Sequence, residues 1–275
     1  MKRAVLWLLA IGVAVGLTVL VFLPATWLGA IVEGQTGGRL TLGDAQGTLW
    51  RGSAFVGGAT GASGAVTPLL PGRFSWRLSP AVLLGQVDMT LENPEALSQP
   101  VNLAGSWSQW QVSPAALLLP AERLSGLGAP LNTLAPSGSM KLSWTTLALE
   151  RLAKGDGEGG EGGEGSEGGA GGGMAVNGRT LLTLEDMGSR MAPIKPLGTY
   201  EMTMDWHGQQ AQLSMRTVRG ALLLSGTGAL EQGRFRFSGQ AQAADGYEET
   251  LGNLLSLLGQ RRMVGGKKIT ALEFK

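Results

Sequence analysis

The chain has 275 residues and a formal net charge of +1, so neither sign of charge dominates. This balance argues against a nucleic-acid-binding protein, because such proteins usually carry a strongly basic surface. The lack of cysteine excludes a disulfide framework and a thiolate site, and a single histidine, His207, excludes most imidazole-rich metal centres.

The N-terminal segment is apolar over residues 4–23 and contains no charge. About 20 residues at 1.5 Å per residue cross a hydrocarbon core of roughly 30 Å. Lys2 and Arg3 precede the segment and the next charge is Glu33, which predicts a cytoplasmic N-terminus. We therefore expect residues 1–23 to form a cytoplasmic tip and a single-pass inner-membrane anchor, with the bulk of the chain periplasmic. A cleaved signal peptide is the alternative, although its apolar region is usually shorter.

After the anchor, apolar and polar residues alternate in several segments, which is typical of strands with one buried and one wet face. Tyr200, Met202, Met204 and Trp206 show the pattern most clearly. It recurs in segments 74–78, 87–91, 140–144, 211–215 and 235–237. Short strands separated by turn residues, such as those at 207–209, predict a mainly β body with antiparallel pairing rather than a parallel α/β sheet.

Helical signals are few. Leucines at helical spacing predict one short amphipathic helix over about 246–258, with Asp245 and Glu248 in a capping-box pattern. Ser79-Pro80 and Ser113-Pro114 each place a capping residue before a proline at the first helical position. Each pair predicts a short helical turn, and the leucine runs that follow at 82–84 and 117–119 are expected to pack.

Residues 153–173 are dominated by glycine and glutamate. Such a segment cannot bury enough apolar surface to offset the entropy of ordering, so it predicts a disordered linker. The linker divides the body into an N-terminal β-rich half over 24–152 and a C-terminal β-rich half over 174–275, which includes the helix.

Two pairs of carboxylates are the candidates for acid–base chemistry, Glu185-Asp186 and Glu248-Glu249. Adjacent residues on a strand or helix do not face one another and converge poorly on a substrate. An extracytoplasmic hydrolase is therefore an outside alternative. We predict no enzymatic activity, no catalytic residue, no cofactor and no metal site.

Eight tryptophans are present, and those at 76, 144 and 206 fall on predicted apolar strand faces. Trp107 and Trp110 fit no alternation, so we predict that they form an exposed contact surface for a partner protein.

Several short motifs give the chain a family resemblance. Gly47-Thr-Leu-Trp-Arg-Gly-Ser-Ala54, the segment of 74–85 and the segment of 136–144 resemble, in order, three parts of type II secretion system protein N. Further matches follow in the C-terminal half at 196–200, 220–226, 237–241 and 251–255. The acidic glycine tract resembles an insertion relative to the usual pattern of this family.

The resemblance implies an accessory component of the machine that exports folded proteins from the periplasm across the outer membrane. Its partners would be other secretion components, the inner-membrane platform and possibly the outer-membrane channel, and it would act through protein contacts. The alternative is an AsmA-like lipid-handling protein with an apolar β groove for phospholipid. In that case Met202, Met204, Leu213 and Met215 would line the groove instead of a closed core.

Overall fold

The computed structural model describes residues 2–38, 40–58, 67–123, 135–152, 173–190, 192–231, 234–264 and 267–274. Helix α1 covers Lys2–Val21, and helix α2 covers Thr26–Gln35. None of the helices within these residues has the length and apolar character that a membrane crossing requires. The N-terminal anchor therefore stays a prediction.

The described body is mainly β and antiparallel, as the alternation predicts, and its strands form one sheet of 17. The strands are β1 (Leu40–Gly47), β2 (Arg51–Gly58), β3 (Thr67–Pro68), β4 (Phe74–Leu78), β5 (Gln86–Glu92), β6 (Val101–Ser106), β7 (Gln109–Val112), β8 (Ala115–Pro120), β9 (Pro136–Trp144), β10 (Leu147–Arg151), β11 (Met174–Ser189), β12 (Gly198–Gly208), β13 (Gln210–Gly220), β14 (Leu222–Glu231), β15 (Arg234–Ala243), β16 (Gln260–Val264) and β17 (Lys267–Phe274). A 3₁₀ helix covers Pro80–Leu84 between β4 and β5, and α3 covers Glu248–Leu258 between β15 and β16.

The sheet is a long meander in which most strands pair with a neighbour in the chain, with departures at β3, in the segment from β7 to β11 and at the C-terminal end. The short strand β3 pairs only with the end of β2, which pairs in turn with β4. At the C-terminal end β15 pairs with β17, and β16 lies outside β17. The path is open, so β1 begins the sheet and β16 ends it within the described residues.

A bent hairpin lies in the middle of the sheet. β7 and β8 pair with β10 and β9 in one continuous register, from Gln109 opposite Glu150 to Pro120 opposite Ser139. Ser113-Pro114 forms the bend, and the Trp144 indole donates a hydrogen bond to the Ser113 carbonyl over 2.8 Å. The predicted helical turn at this dipeptide is therefore wrong, because pairing with β9 draws residues 115–120 into a strand.

The sheet continues across the predicted boundary between the two halves. β11 pairs with β10 and β9 on one edge and with β12 on the other. Most of the predicted linker, residues 153–172, lies outside the described residues. β9, β10, β11 and β12 thus join both halves into a single sheet.

Helix α3 covers the apolar face of the C-terminal strands. Leu251 is 0% exposed and packs in one cluster with Leu255 of the same helix and with Leu213 and Phe237 of the sheet. The helix matches the predicted element, but its cap differs from the expected capping box. The Glu248 carboxylate accepts a hydrogen bond from the Gly246 N–H over 2.8 Å, and Asp245 lies before the cap.

A second core lies where α2 and the first strands meet. Trp76 on β4 is buried against Ala54 on β2, with Leu28 of α2 packed alongside. The Trp76 indole donates a hydrogen bond to the Leu49 carbonyl over 3.0 Å. Because a buried indole N–H needs an acceptor, this bond lets the ring fill the core without an unsatisfied donor.

Candidate interaction surfaces

The two tryptophans predicted as a contact surface lie in different surroundings. Trp107 is in the turn between β6 and β7 and is 57% exposed. Trp110 is within β7, half-buried, opposite Gly105 on one side and Leu149 on the other. Of the pair, Trp107 offers the larger surface to a partner, and their role in binding stays a prediction.

Trp107 belongs to a group of exposed apolar side chains that we call the apolar tip, formed by Leu83, Leu84 and Trp107. The two leucines end the 3₁₀ helix and are 48% and 87% exposed. The Trp107 indole donates a hydrogen bond to the Val82 carbonyl over 2.6 Å, which joins the β6–β7 turn to the 3₁₀ helix. The predicted turn at Ser79-Pro80 is confirmed, but its leucines are exposed instead of packed.

The apolar tip is at the end of the sheet where α1 joins it. The Trp50 indole, in the β1–β2 turn, donates to the Leu20 carbonyl of α1 over 2.8 Å. The Leu49 N–H donates to the Leu23 carbonyl over 2.8 Å, and the Leu78 N–H, at the end of β4, donates to the Trp50 carbonyl over 2.8 Å. The chain enters the 3₁₀ helix directly after Leu78, so α1 and the tip meet the sheet at the same end.

Helix α2 carries a second exposed apolar patch close to α1. Trp27 and Ile31 are 60% and 54% exposed. Residues four apart lie on one face of a helix, so the two side chains form a single stripe. Leu28 points instead toward the core beneath α2. The sequence patterns do not predict α2.

Strand β16 is a free edge in the part of the chain that the structure describes. It pairs with β17 along one side only. Arg262 lies 3.6 Å from Glu273 of β17, and Met263 is 66% exposed. An edge strand presents unpaired backbone N–H and C=O groups to a further strand. The edge is therefore a template for backbone pairing with another chain.

The first candidate pair of carboxylates, Glu185 and Asp186, has structural partners. Glu185 and Asp186 lie at a bulge in β11, where Asp186 has φ of +48°. Asp186 pairs with Arg219 over 2.8 Å, and Glu185 accepts a hydrogen bond from Ser139 over 3.3 Å. His207 is exposed at the end of β12. No group of carboxylates and histidine that could hold a metal occurs among the described residues.

One exposed carboxylate has a perturbed acidity. The pKa of Asp44 lies below its ordinary value because the Gln46 amide donates hydrogen bonds to it over 3.0 and 3.2 Å, and because the Arg73 guanidinium bonds to it. Arg73 also lies over the Phe55 ring, 4.5 Å from its centroid. Asp44 sits at a bulge in β1 with φ of +48°. The cluster braces that bulge against the neighbouring strands.

The apolar face of β12 and β13 is part of a core. Leu213 is 7% exposed, and Met202, Met204 and Met215 pack against the cluster that contains it and the α3 leucines. This arrangement does not support the AsmA-like alternative, which needed these side chains to line an open groove. A shallow groove of about 570 Å³ on the sheet has a mixed lining, in which polar side chains such as Ser214, Thr227 and Gln240 lie beside Met215 and Ile269.

Comparison with known proteins gives one family. The model of type II secretion system (T2SS) protein N matches residues 38–159 and 165–270. No curated protein and no solved structure shows significant similarity to the chain. The match covers most of the sequence and both sides of the predicted linker. The chain therefore belongs to the type II secretion system protein N family.

Proposed function

We propose that the protein is a non-enzymatic accessory component of the type II secretion system, which supports export of folded proteins from the periplasm across the outer membrane. The observation that carries this proposal is the family match over residues 38–159 and 165–270. Family membership implies interaction with other type II secretion components. We propose that the inner-membrane platform is the partner, with the outer-membrane channel as a further one.

Helix α1 would cross the inner membrane once, with Lys2 and Arg3 on the cytoplasmic side and the sheet in the periplasm. Supporting it, Val13, Val15 and Val19 are each between 58% and 60% exposed, so the described fold leaves these side chains uncovered. Exposed valine side chains are stabilised by transfer from water to a hydrocarbon environment.

The contact itself would form on strand β16. Addition of a strand from a partner satisfies the backbone groups of an edge, and this mode needs only a few side chains for specificity. The exposed Met263 side chain and the Arg262–Glu273 pair lie on this strand and its neighbour. A partner strand along β16 would extend the meander by one strand.

The test is a pulldown of the full-length protein in mild detergent from cells that express the secretion system, followed by mass spectrometry of copurifying proteins. Met263→Lys places a charge on the edge strand. Natural edge strands often carry lysine, which prevents pairing with a further strand. Met174→Lys is the matched control, because Met174 is 46% exposed but starts the interior strand β11.

We expect the wild-type chain and Met174→Lys to retain platform subunits and Met263→Lys to lose most of them. If Met263→Lys retains them as well as the wild type does, β16 is not the contact. If the wild-type chain retains no secretion subunit, the accessory role through stable contacts is wrong.

A further inference from the structure

The most exposed large apolar side chain among the described residues is Leu84, at 87%. Together with Leu83 and Trp107 it presents an apolar surface to water at one end of the sheet. Exposed apolar side chains are common singly, but three of them held at one ordered turn point to a contact site.

The apolar tip is held in place by its own hydrogen bonds. The Ser79 hydroxyl accepts from the Ala81 N–H over 3.3 Å, which caps the start of the 3₁₀ helix. Gly85, with φ of +89°, ends it, and its N–H donates to the carbonyls of Ala81 and Val82. The indole of Trp107 bonds to the same turn. The leucines are therefore displayed by an ordered turn.

We propose that the apolar tip inserts into the phospholipid interface around α1 and holds the sheet in a fixed orientation on the membrane. The proposal rests on the proposed membrane anchoring of α1. Its new content is a second point of lipid contact, made by a part of the chain that lies 60 residues and more beyond the helix.

The position of the apolar tip beside α1 supports a lipid partner. The bonds of Trp50 to Leu20 and of Leu78 to Trp50 fix the start of the tip beside the end of α1. Neighbouring strands lie about 4.8 Å apart, so the β6–β7 turn is roughly 20 Å from β2 across four strand spacings. Lipid surrounds a single membrane-crossing helix on every side, so a turn at this lateral distance from α1 still faces the bilayer. The tip would thus reach the interface when α1 crosses the bilayer.

The side chains of the apolar tip and its neighbours also suit a lipid partner. Tryptophan and leucine are the side chains that enter the boundary between headgroups and acyl chains, with the indole at the polar level. Arg51 of β2 lies opposite Arg77 of β4 at the same end of the sheet, and both side chains are exposed. Two neighbouring guanidinium groups would attract anionic headgroups. The stripe of Trp27 and Ile31 on α2 is a further apolar surface close to α1.

The test uses the lack of native cysteine, which allows a single spin label at any chosen site. Full-length protein would be reconstituted into nanodiscs of phosphatidylethanolamine and phosphatidylglycerol. The three labelled variants are Leu84→Cys at the tip, Leu118→Cys as control and Val13→Cys in α1. Leu118 is an exposed leucine, at 45%, on β8, which runs away from the anchor end beyond the bend. Power-saturation EPR then compares accessibility to oxygen, which concentrates in lipid, with accessibility to a water-soluble nickel chelate.

We expect the oxygen-to-nickel accessibility ratio to be highest at Val13→Cys and lowest at the aqueous control, Leu118→Cys. The ratio at Leu84→Cys should be several-fold above that of the control. A deep label at position 13 together with an aqueous label at position 84 overturns the lipid contact and leaves the anchor intact. A label at position 84 shielded from both reagents also overturns it, in favour of a protein partner. An aqueous label at position 13 overturns the anchoring proposal itself.

Discussion

Truncation of Leu251 to alanine tests whether α3 closes the core of the C-terminal strands. Leu251 is 0% exposed and lies in one cluster with side chains from β13, β15 and β17. The matched control is Leu258→Ala, the same change on the same helix at a side chain that is 38% exposed. The two variants lose the same atoms from the same helix, and the main difference between the two positions is the burial of the side chain.

The magnitude follows from the burial of each side chain. A Leu→Ala change at a buried site lowers the free energy of unfolding by about 2–5 kcal/mol, because the transfer energy is lost and a cavity remains. The partly exposed Leu258 gives up less burial and is expected to cost about 1 kcal/mol. For a chain of this size, 1 kcal/mol corresponds to roughly 2–4 °C in Tm. Leu251→Ala should therefore lower Tm by about 6–12 °C for a central loss of about 3 kcal/mol.

Circular dichroism would follow thermal unfolding of the full-length chain in mild detergent. The difference in Tm between the two variants would be measured at one protein and detergent concentration. Equal Tm shifts for Leu251→Ala and Leu258→Ala would contradict the packing of α3 on the sheet. Such a result would also reopen the apolar face of β12 and β13 as a surface available to lipid.

Three further predictions concern single positions. Gly47→Ala should lower Tm more than Gly208→Ala: both glycines have positive φ, but a Cβ at Gly47 would lie 2.5 Å from a backbone oxygen and one at Gly208 meets open space. Thr41→Val should raise the free energy of unfolding by about 1 kcal/mol in urea titrations, because the buried Thr41 hydroxyl has no hydrogen-bond partner among the described residues. Burial raises the pKa of the Tyr200 phenol, so the folded state keeps a proton that the unfolded chain releases near pH 10, and stability should fall above about pH 10. In the Tyr247→Phe variant the tyrosinate absorbance should then appear together with alkaline unfolding, and its appearance before unfolding would contradict the burial of Tyr200.

The strands of the C-terminal half were the most predictable part of the fold. Alternation over Tyr200–Trp206 and 211–215 gives both the strand type and the buried face, and the turn at Gly208 gives the pairing of β12 with β13. These signals are local and agree with one another, so tertiary contacts do not override them. The same holds for α3, whose leucine spacing predicts both its length and its buried side.

Two identical dipeptides show where local signals fail. Ser79-Pro80 begins a 3₁₀ helix, as the capping pattern predicts, and Gly85 ends it five residues later. Ser113-Pro114 has the same local chemistry but forms the bend between β7 and β8. The difference is a partner: residues on both sides of Pro114 pair in one register with β9 and β10, more than 20 residues further along the chain. Pairing of this kind is decided by distant residues and is not encoded in the dipeptide.

The apolar tip was missed for a related reason. A run of Val82-Leu83-Leu84 predicts burial, but burial requires a layer of structure to cover the side chains. A five-residue 3₁₀ helix has too few turns to bury one face and expose the other over several residues. Trp107 reaches this turn from the β6–β7 connection, but its indole bonds to the Val82 backbone and leaves both leucines in solvent. Apolar side chains that the described fold fixes in place but leaves uncovered therefore point to a contact outside the fold, and their position beside α1 makes the membrane surface the first place to look for it.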